Sequence, residues 1–337
     1  MAIDLSTLDN TCRLLFEIPL CPVQGHRFQP TGFPGLGAAT FQTPNGRSLL
    51  VESAQSMANR LERTVWDEAA NDLKADLKGL SHVRVMRNGG FLTDTILESH
   101  RINSPYLLEG SDRTFFSTLR SELGGLEAGP IDRRKLATVL LKYDIGSLLH
   151  GAFLAKKDLA GGRLRVARAL SAFIEADAVN VAPSGGVKND HVNPSGDTKA
   201  GFGNVPFARD EFTADRIVLY VNLDVGYIRG YALGAEVERL LVLLGLYKLR
   251  ALLDGGLRLR TACDLRVTLE TITATVPKDF TLPSLSELAA DLPEAIRQCA
   301  GGMTVTQVRF NDDLKKAKEV DNDRGITNEA TDEGTGD

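Results

Sequence analysis

The sequence predicts an α+β domain built on a mostly antiparallel sheet with large insertions. Three observations lead there. Short apolar runs and stretches of period-2 alternation mark strands scattered from residue 12 to residue 310. Segments with apolar residues at i, i+3, i+4 and i+7 mark helices among them. The two kinds are interleaved without a regular βαβ repeat, which disfavours a wound parallel sheet. No tandem repeat or linker divides the chain, so residues 1–310 read as a single domain.

In chain order, residues 12–20 read as a first strand, stopped by Pro19 and Pro22. Residues 21–47 form a long Gly- and Pro-rich loop that carries His26, Arg27 and Arg47 and no Asp or Glu. Loops of this length are often functional. A helix follows from Ser53. Ala54, Met57, Ala58, Leu61 and Val65 make one apolar stripe, and Ser56, Asn59, Arg60 and Arg63 fall on the other side. Ser53 is an N-cap candidate, and a charged continuation runs to about Lys78. The helix opens on small, uncharged polar residues with free backbone amides. That is the chemistry of a phosphate seat, and equally that of a well-capped surface helix.

Residues 82–86 read as a short strand, 91–108 as mixed, 112–123 as a helix capped by Ser111 or Asp112, and 132–143 as another helix. Residues 147–154 and 164–174 are apolar enough for strands. Residues 183–206 are the least structured internal stretch, between expected strands at 176–182 and 216–222. Residues 236–253 form a strong helix, 257–275 alternate in two parts, 286–300 are helical and 303–310 make a last strand. The tail, 311–337, is acidic and expected to be disordered.

The formal charge of the chain is −5. The tail holds nine acidic and four basic side chains, which accounts for all of it, so the body is formally neutral and can carry local basic patches. Four dispersed cysteines (Cys12, Cys21, Cys263, Cys299) without a paired spacing predict reduced thiols in a cytoplasmic protein. The first residues lack the pattern of a signal peptide, and no apolar run is long enough for a membrane span. No phosphate-binding loop, dinucleotide fingerprint or nucleophile elbow is present. The five histidines are too dispersed for a local metal site. The sequence thus points to no catalytic residues, no metal and no cofactor.

The helix start Glu52-Ser-Ala-Gln-Ser-Met-Ala-Asn-Arg-Leu-Glu resembles that of the backbone subunits of CRISPR Cascade complexes, the "Cas seven" proteins of the RAMP superfamily. Further segments are similar to the type I-G branch (formerly I-U). They begin at Arg27 (Arg-Phe-Gln-Pro-Thr-Gly-Phe-Pro), Glu98 (Glu-Ser-His-Arg-Ile-Asn-Ser-Pro-Tyr), Ser147 (Ser-Leu-Leu-His-Gly-Ala-Phe-Leu), Arg168 (Arg-Ala-Leu-Ser-Ala-Phe-Ile-Glu), Gly186 (Gly-Val-Lys-Asn-Asp-His-Val) and Gly201 (Gly-Phe-Gly-Asn-Val-Pro-Phe). Together they cover most of residues 27–212, and the acidic tail is outside the pattern.

The resemblance implies an RRM-like (ferredoxin-like) antiparallel sheet core with helical insertions and a projecting β-hairpin thumb, here residues 176–215. It implies a non-catalytic subunit that binds CRISPR guide RNA in several copies and presents it to target DNA, with base pairing supplying the specificity. Further copies of the chain, the large subunit and a guide-end capping or processing subunit would be its partners. The implied RNA contacts are Arg27 and Gln29 in the carboxylate-free loop, and Ser53, Gln55, Ser56, Asn59, Arg60 and Arg63 on the helix. Ser99, His100 and Arg101 form a second group, and Lys188, Asn189 and His191 a third on the thumb, where Val187 or Phe202 would wedge between bases. Two rival readings stand beside this one: a RAMP endoribonuclease, and an unrelated soluble enzyme with a site assembled across the fold.

Overall fold

The computed structural model describes residues 2–33, 37–44 and 46–314. The tail expected from residue 311 onward lies, beyond Leu314, outside the described residues. In chain order the principal elements are β1 (Leu14–Pro22), β2 (Thr40–Thr43), β3 (Gly46–Glu52), α1 (Ala54–Arg63), β4 (His82–Arg87), β5 (Gly90–Asp94), α2 (Thr114–Glu122) and α3 (Arg133–Tyr143). Then come β6 (Leu170–Asp177), β7 (Asn180–Lys188), β8 (Val205–Thr213), β9 (Arg216–Leu223), α4 (Ala235–Asp254), β10 (Leu257–Arg260), β11 (Cys263–Val267), α5 (Leu285–Cys299) and β12 (Val305–Arg309).

Seven strands form the main sheet in the order β10–β11–β1–β9–β6–β3–β2, every neighbouring pair antiparallel. Alternation sets its two faces. Leu14, Phe16, Ile18 and Leu20 of β1, Leu170, Ala172, Ile174 and Ala176 of β6, and Ile217, Leu219, Val221 and Leu223 of β9 are all buried. The helices cover this face. α1 packs on β6 and α4, and α5 packs on the outer side of α4. That sandwiching is why α4 is apolar nearly all round. Its Gly245 sits where a Cβ would come 3.1 Å from Leu223, so the glycine lets the helix approach β9 closely. A smaller sheet, β12–β4–β5, contains one parallel pair, β12 with β4.

The structure departs from the sequence expectation at several elements. α1 ends at Arg63, not near Lys78: Trp66–Asp67 and Asp72–Leu73 pair as a miniature hairpin, and Trp66 stacks on Phe91 at 5.8 Å. Residues 146–150 are helical, and of the expected strand 147–154 only Ala152–Leu154 pairs, with Leu164–Val166; the expected strand 164–174 is split into Leu164–Val166 and the start of β6 at Leu170. The expected loose stretch 183–206 is part ladder and part loop: residues 183–188 and 205–206 lie in a regular hairpin, and residues 189–204 form its irregular tip, with one 3-10 turn at Thr198–Ala200. β7 and β8 pair without a register shift from Asn180 opposite Thr213 to Lys188 opposite Val205. Both faces of its outer part are in solvent, so no apolar alternation marks it in the sequence. Within the loop 21–47, β2 and the start of β3 pair, and Phe28 bridges to Phe212 at the hairpin base.

Candidate nucleic-acid interface

α1 is set by its cap. Ser53 has extended backbone, and its hydroxyl accepts from the Ser56 amide at 3.2 Å. Met57, Ala58 and Leu61 are buried against the sheet. The first turn contains no acidic side chain, so the partial positive charge of the helix start is not neutralised from within the helix. Gln55 projects into solvent there, and its side-chain oxygen accepts a hydrogen bond from the Arg168 guanidinium. Arg168 is half-buried and makes no ion pair among the described residues. Burial pushes its pKa below the usual range, with Arg101 adding to the effect. The helix start thus gathers a hydroxyl pair (Ser53, Ser56), an amide (Gln55) and a guanidinium held by a neutral partner. The sequence reading missed Arg168 in this role, although the residue opens one of the segments that carried the resemblance.

The loop bearing Arg27 and Gln29 is fastened beside this corner. The Gln29 amide donates to the Ala262 carbonyl at 2.7 Å, and the Thr31 amide to the Val51 carbonyl at 2.9 Å. Arg260 donates to the Gln29 carbonyl at 2.9 Å and ion-pairs with Glu52, whose side chain is only 2% exposed. Arg27 is exposed and lies 3.8 Å from the Glu211 carboxylate of β8.

Several residues expected on the interface have other work. Arg60 donates to the Leu259 carbonyl at 2.7 Å and lies 3.3 Å from Glu52, fastening α1 to β10 and β3. Arg101 is buried and forms a two-pronged ion pair with Glu62, both contacts at 2.5 Å. It is a structural brace, because a guanidinium so enclosed cannot reach a strand of RNA. Ser99 and His100, beside it in sequence, are exposed. Asn59, Arg63 and Ser99 do come together, in a cleft of about 350 Å³, but Glu62, Glu68 and Glu98 line it too, and Arg63 is paired with Glu68 at 2.9 Å. That cleft is poorly suited to a phosphate chain.

Lys188, Asn189 and His191 are exposed at the hairpin tip, at the far end of strands nine residues long. At ~3.3 Å per residue they stand roughly 30 Å from the hairpin base. The tip is knotted around Asp190, whose carboxylate accepts from the Val192, Asn193 and Gly203 amides at 2.8, 3.0 and 2.8 Å. Those amides hold its carboxyl below the usual range. Gly203 has φ +85°, and a Cβ there would come 2.3 Å from the Gly196 carbonyl, so the turn closes only on glycine. Val187 and Phe202 are 52% and 55% exposed, free to meet a partner. No group of three or more His, Cys, Asp or Glu that could hold a metal ion occurs among the described residues. No helix there is long and apolar enough to cross a membrane.

No curated protein matches the chain. A chain of a solved structure titled "CRISPR RNA-guided surveillance complex, pre-nicking" aligns over 75% of both chains at 14% identity, with a TM-score of 0.36, too low to carry weight for the fold. The sequence match is more informative. It begins at the first residue of β1, takes in the loop, α1 and Arg168, and stops inside β7. The family matched over these residues, 14–181, is CRISPR-associated protein GSU0053.

Proposed function

We propose that this chain is a non-catalytic backbone subunit of a type I CRISPR interference complex. It binds the sugar-phosphate backbone of a guide RNA and presents the bases to target DNA, several copies lying along one guide. The observation that carries this reading is the α1 start: an uncharged helix opening free of acidic residues, with Arg168 beside it bonded to a neutral amide and, among the described residues, to no carboxylate. It lies inside the segment that matches a CRISPR-associated family. Phosphate contacts of this kind hold a strand without reading its sequence. The strand order β11–β1–β9–β6 supports an RRM-like core. These strands come first, second, third and last of the four as β1, β6, β9 and β11, with α1 and α4 in the two crossovers, the ferredoxin-like arrangement. The β7–β8 hairpin supports the thumb.

The test is binding of single-stranded guide RNA by the chain together with its partner subunits. Ser56→Asp and Arg168→Glu weaken binding about tenfold or more by placing negative charge at phosphate. Arg168→Ala lowers the slope of log K against log salt by about one. Arg60 is a poor probe, since its loss also detaches β10. Unchanged affinity in Ser56→Asp and Arg168→Glu, with unfolding midpoints intact, would sink the phosphate seat. RNA cleavage at regular intervals in the presence of magnesium would replace the scaffold reading with a nuclease.

A further inference from the structure

Three residues before Arg168, the short strand pair Ala152–Leu154 and Leu164–Val166 presents Arg165 opposite Phe153. The Arg165 guanidinium lies 4.3 Å from the centre of the Phe153 ring, which is 42% exposed. Arg165 also lines a cleft of about 180 Å³ with Arg133, Tyr227 and Tyr231, where Gly226 and Gly230 contribute backbone only. The two tyrosine rings meet edge to face at 5.2 Å. Both hydroxyls are fixed: Tyr231 donates to the Leu148 carbonyl at 2.7 Å, and Tyr227 accepts from the Ala167 amide at 2.9 Å. Neither Arg133 nor Arg165 makes an ion pair among the described residues. The carboxylates beside them are occupied. Asp132 caps α3 through the Lys135 amide at 3.0 Å; Asp224 takes Arg13 and, at 2.8 Å, the Tyr227 amide.

An aromatic wall and guanidinium planes recognise flat rings, while unneutralised arginines at the same place recognise phosphate. The volume falls below the ~300–1,000 Å³ of most small-molecule sites, which fits one ring system rather than a larger ligand. Arg165 and Arg168 are at most about 11 Å apart along the chain, a span that two to three nucleotides of an extended strand can cover. We propose that this cleft seats one unpaired nucleobase of bound single-stranded RNA, with its flanking phosphates on Arg133 and Arg165. The strand then runs from the α1 start past Arg168 into the cleft. The assignment rests on the RNA-binding reading given above.

The test uses the full chain with its partner subunits and a single-stranded RNA containing 4-thiouridine. In the wild-type protein, photo-cross-links map to peptides containing Phe153 or Tyr227. The double variant Arg133→Ala/Arg165→Ala loses those cross-links, binds about tenfold or more weakly, and shows a salt slope lower by about two. Both arginines are exposed, so its unfolding midpoint stays at the wild-type value. Arg165→Lys keeps the salt slope but lowers the cross-link yield, because an ammonium does not stack as a guanidinium does. If the wild type binds RNA while the double variant binds equally well and the cross-links lie elsewhere, the cleft is overturned and the backbone reading stands. If the wild type binds no RNA, both fall.

Discussion

At the scale of single residues, the polar groups under α1 form a brace. Glu62 is clamped by Arg101, and Asp144, also buried, accepts from the Ser147 hydroxyl at 2.6 Å. Lys248 of α4 reaches His150 at 2.9 Å between Nζ and Nε2. Burial dominates these groups: it pushes Lys248 down to about 8 and holds His150 well below its ordinary value, with the Lys248 charge adding to the second effect. His150 is therefore the neutral acceptor and Lys248 the donor at neutral pH. The sign for stability follows. Below pH 8 Lys248 is protonated in both folded and unfolded chains and contributes no slope. Between about 8 and 10.5 the unfolded chain binds more protons, so stability rises with pH through that window. Relative to Lys248→Met, the wild type should gain on the order of 3 kcal/mol from pH 7 to 10.5. Urea unfolding of both proteins across that range measures it, and parallel pH profiles would contradict it. Local residues were legible in the sequence, Ser53 as cap and the stripe of Met57, Ala58 and Leu61, because their partners lie within one turn. The protein partners of Arg60 and Arg101 were not legible because they are far away in sequence: Leu259 for the first, Glu62 for the second.

At the scale of elements, strands with one buried face were legible and the hairpin strands were not. β1 and β9 announce themselves by alternating or continuous apolar residues, whereas β7 carries Pro183, Gly185 and Gly186 and buries nothing. Its companion β8 buries only Glu211 and Phe212, both at the base. A two-stranded ribbon is marginal alone in water, so the outer hairpin adds little to the stability of the body. Replacing residues 183–210 by a two-residue Asn-Gly turn joins Ala182 to Glu211, which already face each other. The shortened protein should unfold within a few degrees of the wild type, since Phe28 and Phe212 keep their bridge. Under the backbone reading it should no longer form multi-copy assemblies on guide RNA. Light scattering of the RNA complex separates the outcomes: full-length assemblies from the shortened chain would remove the hairpin from the assembly mechanism.

At the scale of the whole molecule, charge is the property most open to sequence and least explained by the fold. The body is formally neutral, yet its positive groups differ in availability. Arg60, Arg101 and Arg260 are consumed by Glu52 and Glu62, while Arg133, Arg165 and Arg168 carry no carboxylate among the described residues. Composition could not separate the two sets, because pairing is decided by tertiary contacts. Under the RNA-binding reading, the acidic tail is expected to act as a long-range repulsive term for a polyanion. Residues 315–337 hold seven acidic and four basic side chains, so removing them shifts the formal charge from −5 to −2. The cut spares the anchoring contacts of Asn311 with Asn88 and of Asp312 with Ser111. Screening sets the expected range: a Debye length near 30 Å at 0.01 M salt lets the tail act across much of the molecule, and one near 10 Å at 0.1 M confines it. The truncated chain should bind single-stranded RNA several-fold more tightly than the full chain at the lowest salt, chiefly through a faster on-rate. The two should converge above ~0.1 M. A titration series in salt, read by stopped-flow association and equilibrium binding, tests this. A gain that persists at high salt would show that the tail makes a direct contact instead, and a loss of affinity on truncation would show that its lysines, Lys315, Lys316 and Lys318, bind the RNA themselves.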